Sequence, residues 1–297
     1  MSKKNLFRTI TIGTIRTIRT TKTTGVAMIL SLAILCLACG SAFAQRGGRG
    51  DGGKEERELS CNDNWGGDRA SHCVIKEQMV AATGGMIIVD GKMNGGVTVR
   101  GWDRNEIFVR AKIQTWADTD AEAQALSSQI RIDTGGANIH AEGPETRDQR
   151  GWAVSFEVSI PRNSNLSLKA HNGGIGVSEV RGQIEFSTMN GGVSLRRLAG
   201  KVKGQTMNGG LSIDLAGNGW DGEGMDVSTT NGGVTLSIPE NYSARLETGT
   251  VNGGLKTDFP IILQGEVKRE LSLDLGAGGQ TIRAMTTNGG VSIKRKS

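Results

Sequence analysis

The chain is short of the residues from which enzymatic and metal sites are usually assembled. Its 297 residues include three histidines, His72, His140 and His171, and four cysteines. No His-x-x-x-His pair occurs, and beyond residue 44 there is no Cys-x-x-Cys pair. Those spacings bring two ligands to one side of a metal, so neither a transition-metal site nor a cofactor is expected. A Gly-x-Ser-x-Gly elbow, a P-loop, and a dinucleotide fingerprint leading from strand to helix are also missing. Their absence removes common signatures of hydrolases and nucleotide enzymes, and no catalytic residue is assigned.

The first 44 residues contain no acid at all, only Lys3, Lys4, Arg8, Arg16, Arg19 and Lys22. The apolar run "VAMILSLAILCLACGSAFA" follows and ends at Ala42-Phe43-Ala44. A basic start, an apolar centre and a small–x–small site are the parts of a secretory signal, so residues 1–44 are expected to be removed between Ala44 and Gln45. Cys39 has Cys36 where a lipoprotein box wants Leu, so a lipid anchor is not expected. The product is then periplasmic, surface-bound or secreted, with no membrane span left.

Without its signal the chain loses its basic balance. The net charge of 35 − 30 = +5 becomes 29 − 30 = −1, which argues against nucleic acid as a partner. Cys36 and Cys39 leave with the signal. Cys61 and Cys73 remain in "CNDNWGGDRASHC", where an exported chain is expected to form a disulfide. Closing that loop contributes about 3 kcal/mol in the chain-entropy model. Residues 45–60, "QRGGRGDGGKEERELS", are Gly-rich and charged with no apolar period and read as a flexible linker. The single domain then spans 61–297, with an N-terminal portion at 61–165 and a regular portion at 166–297.

From 85 to 160 the chain alternates in strand fashion, as in "EIFVRAKI" and "VSFEVSI". "DTDAEAQALSSQI" interrupts it with a capping box, Thr119 and Glu122, and predicts a helix of about three turns with Ala121, Ala125 and Ile130 on one face.

Beyond 166 a repeat takes over. Asn-Gly-Gly occurs at Asn172, Asn190, Asn208, Asn231, Asn252 and Asn288, with an outlying copy at Asn94. The steps are 18, 18, 23, 21 and 36. "GNGWDGEG", 217–224, accounts for the step of 23 as an insertion. Its Trp220 is the candidate exposed contact, and Asp221, Glu223 and Asp226 are the acids by which it could hold calcium. The step of 36 is twice 18, so a rung without its turn is expected near 270, with Leu273 and Leu275 as its apolar pair. Equivalent pairs are Val193/Leu195, Leu211/Ile213, Val234/Leu236 and Val291/Ile293; only Leu255/Thr257 departs. Two residues before the Asn stands Thr188, Thr206, Thr229, Thr250 or Thr286. Each repeat is two short strands with one apolar face, joined by Asn-Gly-Gly, whose residues tolerate positive φ. Recurrence of like at the same height is what stacked coils require. It favours an all-β solenoid of about 18-residue coils over the antiparallel meander that Asn-Gly also permits.

The "NGG[VL]" rungs, together with "GWDRNEIFVRAKI", the helix after it and "VSIPRNSNLSLKAHNGGIGV", resemble the bacterial putative-adhesin family over residues 74–296. That is an exported domain of unknown function related to autotransporter-adhesin heads. The resemblance implies a β-solenoid and, by the family's name, adhesion; it supplies no site residues. The function expected is therefore a non-enzymatic adhesin or envelope scaffold, with a cell-envelope polysaccharide or surface protein as partner. A carbohydrate-active enzyme is the alternative, but Asp214, Asp226 and Glu240 stand at different offsets from their turns. The basic end "SIKRKS" beside the last rung is expected to discourage end-to-end growth and to leave a monomer.

Overall fold

The structure, a computed structural model, describes residues 59–62, 69–146, 149–259 and 269–296. The signal, its cleavage site and nearly all of the linker lie outside the described residues, as does Trp65. No helix among the described residues is long and apolar enough to cross a membrane.

In chain order the strands begin with β1 (Ala70–Ala81), β2 (Met86–Asp90), β3 (Val97–Trp102) and β4 (Glu106–Ala117). Helix α1 (Asp120–Gln129) precedes β5 (Arg131–Asp133), β6 (Asn138–Glu142) and β7 (Gly151–Pro161). Then come β8 (Asn165–Ala170), β9 (Ile175–Ser178), β10 (Arg181–Asn190), β11 (Val193–Arg196), β12 (Ala199–Asn208) and β13 (Leu211–Asp214). The last are β14 (Gly224–Asn231), β15 (Val234–Pro239), β16 (Ala244–Asn252), β17 (Leu255–Thr257), β18 (Glu270–Leu275), β19 (Thr281–Asn288) and β20 (Val291–Lys296).

These form two ten-stranded sheets. The first runs β1-β4-β7-β3-β9-β11-β13-β15-β20-β17 and the second β18-β16-β19-β14-β12-β10-β8-β2-β6-β5. The middle of each is parallel, with like on like: Thr188 pairs Thr206, Asn190 pairs Asn208 and Val193 pairs Leu211. That register rules out the meander. Antiparallel pairs occur only toward the ends, at β1–β4, β4–β7, β5–β6 and β16–β18.

From β8 to β18 the chain alternates between sheets, and the inward residues of both meet in one apolar core. Leu166, Leu168, Ile184, Phe186 and Val202 face Ile175, Val177, Val193, Leu195 and Leu211, all of them buried. Each such side chain contributes about 1.5–3 kcal/mol by leaving water. Phe186 fits because its neighbour across the sheet is Gly204, where a Cβ would stand 2.4 Å from the ring.

Helix α1 forms where the capping box places it, with the Thr119 hydroxyl accepting from the Glu122 N–H. Its buried face is Ala123, Leu126 and Ser127, followed by Ile130; Ala121 and Ala125 are exposed. The spacing 123, 126, 127, 130 is the i, i+3, i+4, i+7 stripe of a helix on a sheet. Thr115 of β4 anchors it by donating to the Ala123 carbonyl. Cys61 and Cys73 are joined, with Cα atoms 5.7 Å apart, so the disulfide ties the segment before β1 to that strand.

Three expectations fail on strand order. Asn94 is outlying only in sequence: its rung, β2–β3, stacks directly on β8–β9, and β4 to β7, which intervene in the chain, extend the two sheets beyond β2–β3. The predicted rung at 270 is instead β18, which pairs antiparallel with β16 and sets Leu273 beside Leu246 and Leu275 beside Ala244 within one sheet. The last rung in sequence, β19–β20, lies between β14–β15 and β16–β17. Lys294, Arg295 and Lys296 consequently do not guard an edge; Lys296 pairs with Asp214 and Arg295 with Glu240. β17 takes that edge of the first sheet, where Thr257 is tolerated because no further rung packs on it.

The turn glycines are needed for a reason other than φ. None in an Asn-Gly-Gly turn lies in the left-handed region. From Asn172 on, the first Gly of each turn abuts a neighbouring turn: a Cβ on Gly191 would stand 2.1 Å from the Gly173 carbonyl oxygen, and one on Gly209 2.1 Å from that of Gly191. The second Gly has more room, with 3.6 Å at Gly192. Gly191→Ala is therefore expected to lower stability by at least about 3 kcal/mol, and Gly192→Ala by no more than about 1 kcal/mol. Urea unfolding of the two variants checks the order; equal losses would refute the close-approach account.

Candidate functional site: the asparagine edge and the faces beside it

Along the turns runs a ladder of side-chain amides. Asn172 donates to Asn94, Asn190 to Asn172, Asn208 to Asn190, Asn231 to Asn208, Asn288 to Asn231 and Asn252 to Asn288, at 2.8–3.0 Å. All six asparagines expected to form the turn ladder are brought together, and Asn94 joins them. Beneath them the buried threonines bond the backbone of the neighbouring rung. Thr188 donates to the Gly173 carbonyl, Thr206 to Gly191, Thr229 to Gly209, Thr286 to Gly232 and Thr250 to Gly289, at 2.7–2.8 Å.

The residue just before each Asn points outward. Met93, Met189, Met207 and Val251 are between 40% and 60% exposed, more than apolar side chains of that size usually are. A shallow groove of about 380 Å³ runs beside this row, lined by His171, Met189 and Met207 with Lys169, Ser187 and Gln205. Further along the outer face of the second sheet, Glu185, Lys203, Asp226, Arg283 and Glu247 occupy adjacent strands at one height. Their signs alternate, as they must where like charges would otherwise be stacked. The outer face of the first sheet carries Thr98, Ser194, Ser212, Thr235 and Ser292 at one height, with Gly176 in the place of a sixth hydroxyl.

The insertion behaves otherwise than expected. Trp220 is 9% exposed and its Nε1 donates to the Gly200 carbonyl, so it is a core contact and not a surface one. The loop folds back because the Gly200 backbone also bonds Asp221 and Glu223. The acids near it do not converge on a cation: Asp221 pairs with Arg181, Glu223 with Lys201 and Asp226 with Arg283. The acids of the enzymatic alternative are likewise dispersed, Asp214 on the first sheet and Asp226 on the second.

One titratable cluster was not expected from the sequence. Asp133 and His140 face each other across the β5–β6 hairpin, with Glu142 two residues on, and their ligand atoms lie within 4.8 Å of one another. His140 Nε2 is 3.5 Å from Glu142, and its Nδ1 is buried with no partner among the described residues. The available signal was the turn "TGGA" between two short alternating segments, which pairs residues seven apart. Two carboxylates and an imidazole suit a divalent ion.

At the far end, a cavity of about 370 Å³ is lined by Leu246, Leu271, Leu273, Phe259 and Tyr242. Burial pushes the Tyr242 hydroxyl up to about 12, so it stays protonated.

A family model, Toastrack DUF4097, matches residues 77–294. The chain belongs to that family. Solved structures similar to this Toastrack chain include a putative cell adhesion protein from Clostridium sporogenes, at 9% identity and a TM-score of 0.42, over 76% of this chain and 100% of that one. A putative adhesin from Bacteroides fragilis aligns at 12% identity and 0.38, over 76% and 97%. A putative lipid binding protein from Parabacteroides distasonis aligns at 9% and 0.29, over 76% and 97%. No curated protein matches significantly.

The Toastrack edge opposite the asparagines is held by ions. Glu179 and Arg197 occupy equivalent turns at positive φ, 58° and 50°, a conformation that costs a residue with a side chain. Their own pairing at 2.6 Å, with Arg162 also on Glu179, offsets that cost. The Arg162 hydrogen bond first, then that of Arg197, holds the Glu179 carboxyl below its ordinary 4.5. A depressed folded pKa gives stability that is present at neutral pH and lost as pH falls through the folded value. Glu179→Gln should flatten the acid limb of the stability curve below pH 4.5 relative to wild type, as followed by thermal melting across pH; identical limbs would contradict this. Along the other edge, Thr206→Val should cost about 1–3 kcal/mol because the bond is buried, and Asn208→Ala about 1 kcal/mol because water replaces the exposed amide. Urea titration distinguishes the two.

Proposed function

We propose that this chain is an exported β-solenoid with regular coils of about 18 residues. It acts without catalysis, as a binding or scaffold module at the cell envelope, with an envelope polysaccharide or surface protein as its partner. The observation that carries this reading is the repetition of chemically equivalent outward groups. An amide from every Asn-Gly-Gly turn, and a hydroxyl from five strands of one sheet, stand at fixed height along the stack. Strands in a sheet lie about 4.8 Å apart, so an extended ligand meets the same donor and acceptor repeatedly. Weak contacts summed along such a row give useful affinity without a deep pocket. Family membership is compatible with this reading and names no ligand.

Full-length chain should co-sediment saturably with one of isolated peptidoglycan, outer membrane or insoluble polysaccharide, and release no soluble sugar. Replacing Ser194, Ser212 and Thr235 together by glutamate should weaken that binding at least about 10-fold if the hydroxyl face is used, through charge and desolvation at each rung. Sugar release would overturn the reading in favour of an enzyme. No binding to any of the three would overturn the envelope partner.

A further inference from the structure

The residue before each turn asparagine forms its own row, and the row is not random in chemistry. In spatial order it reads Met93, His171, Met189, Met207, Thr230, Thr287, Val251. Three methionines and the one histidine of the row occupy four consecutive rungs. His171, Met189 and Met207 share one groove. Met189 and Met207 stand on paired strands, and His171 directly follows the strand at the other side of Met189. Met93 is 60%, Met189 40% and Met207 48% exposed.

Packing does not account for these side chains, since they face away from the core and the later rungs fill the same slot with threonine or valine. Their shared property is donor softness: thioether sulfur and imidazole nitrogen select copper(I), whereas hard divalent ions prefer oxygen. Neighbouring rungs set the side-chain bases about 4.8 Å apart, and methionine has three rotatable bonds with which to bring its sulfur inward. The methionine sulfurs carry no charge. Lysines flank the row: Lys169, which lines the groove and is paired in register with Asp90, and Lys92, whose Nζ is 3.4 Å from Asp90. That surplus of positive charge disfavours a divalent ion more than a monovalent one. An exported chain whose remaining thiols are joined in the Cys61–Cys73 bridge has only methionine left as a soft ligand.

We propose that His171, Met189 and Met207 form a surface site for copper(I), with Met93 as a further sulfur donor from the adjoining rung. The site binds the ion without any change of oxidation state. It is independent of the envelope-binding reading and shares no residue with the hydroxyl face.

The test uses full-length chain carrying Cys36→Ser and Cys39→Ser, so that no free thiol competes. Copper(I) held reduced by ascorbate is titrated against a chromogenic copper(I) chelator. One equivalent should be withheld from the chelator, and X-ray absorption should report sulfur together with nitrogen around the metal. Met189→Leu with Met207→Leu keeps size and apolarity at exposed positions, and should weaken retention at least about 100-fold with unchanged melting temperature. No retention by the parent chain would overturn the proposal. So would undiminished retention in the double variant, which would direct attention to the Asp133, His140 and Glu142 cluster.

Discussion

Everything regular in this molecule depends on how closely one turn can lie on the next. The first glycine of each Asn-Gly-Gly turn meets the carbonyl of its neighbour with no room for a side chain. That contact fixes the spacing at the edge to the spacing of hydrogen-bonded strands. Once it is fixed, the asparagine amides fall within 2.8–3.0 Å of one another and the threonine hydroxyls reach the next glycine carbonyl. The backbone groups at a tight bend, which would otherwise be left without partners, are thereby satisfied. The apolar core then follows, because two sheets joined at one edge face each other with their inward residues in register.

The opposite edge is solved by different chemistry. There two of the bends pass through Glu179 and Arg197, left-handed although they carry side chains, and ion pairs of Glu179 with Arg162 and Arg197 hold them. Such exposed pairs contribute little individually. As a linked set on adjacent turns they restrain side chains that are already close, so less conformational freedom is lost in forming each one. One edge of the fold is thus neutral and amide-bonded, while the other is charged and sensitive to acid.

How much of this could be read beforehand follows from the physics of stacking. The apolar pairs, the threonines and the asparagines were legible because like-on-like contact writes itself into the sequence as a period. The role of glycine was legible only as a location: φ freedom was the natural explanation, and the close approach of a neighbouring turn is not visible in one dimension. Trp220 was misjudged because a Gly-rich insertion looks solvated, whereas burial is decided by the backbone of Gly200, 20 residues away. The Asp133, His140 and Glu142 cluster needs two strands brought face to face. The family resemblance led to the right architecture at the level of two long sheets, and it held no information on sites.

Spatial order was the least legible property, and its origin is instructive. Strands β16 and β19 both carry Thr-x-Asn-Gly-Gly and both have an apolar inward face. Either would fit on β14, and local rules cannot choose between them. In the finished molecule β19–β20 is wedged between two rungs that precede it in the chain. Assembly cannot advance by simple accretion in the order of synthesis: the place beside β14 has to stay vacant, or be vacated, until residues 281–296 exist. A segment that docks there early makes nearly native contacts in the wrong neighbourhood. The regularity that makes each rung a good partner for the next also makes it a good partner for the wrong one, and the carboxyl end of the chain is the wedge that resolves the ambiguity.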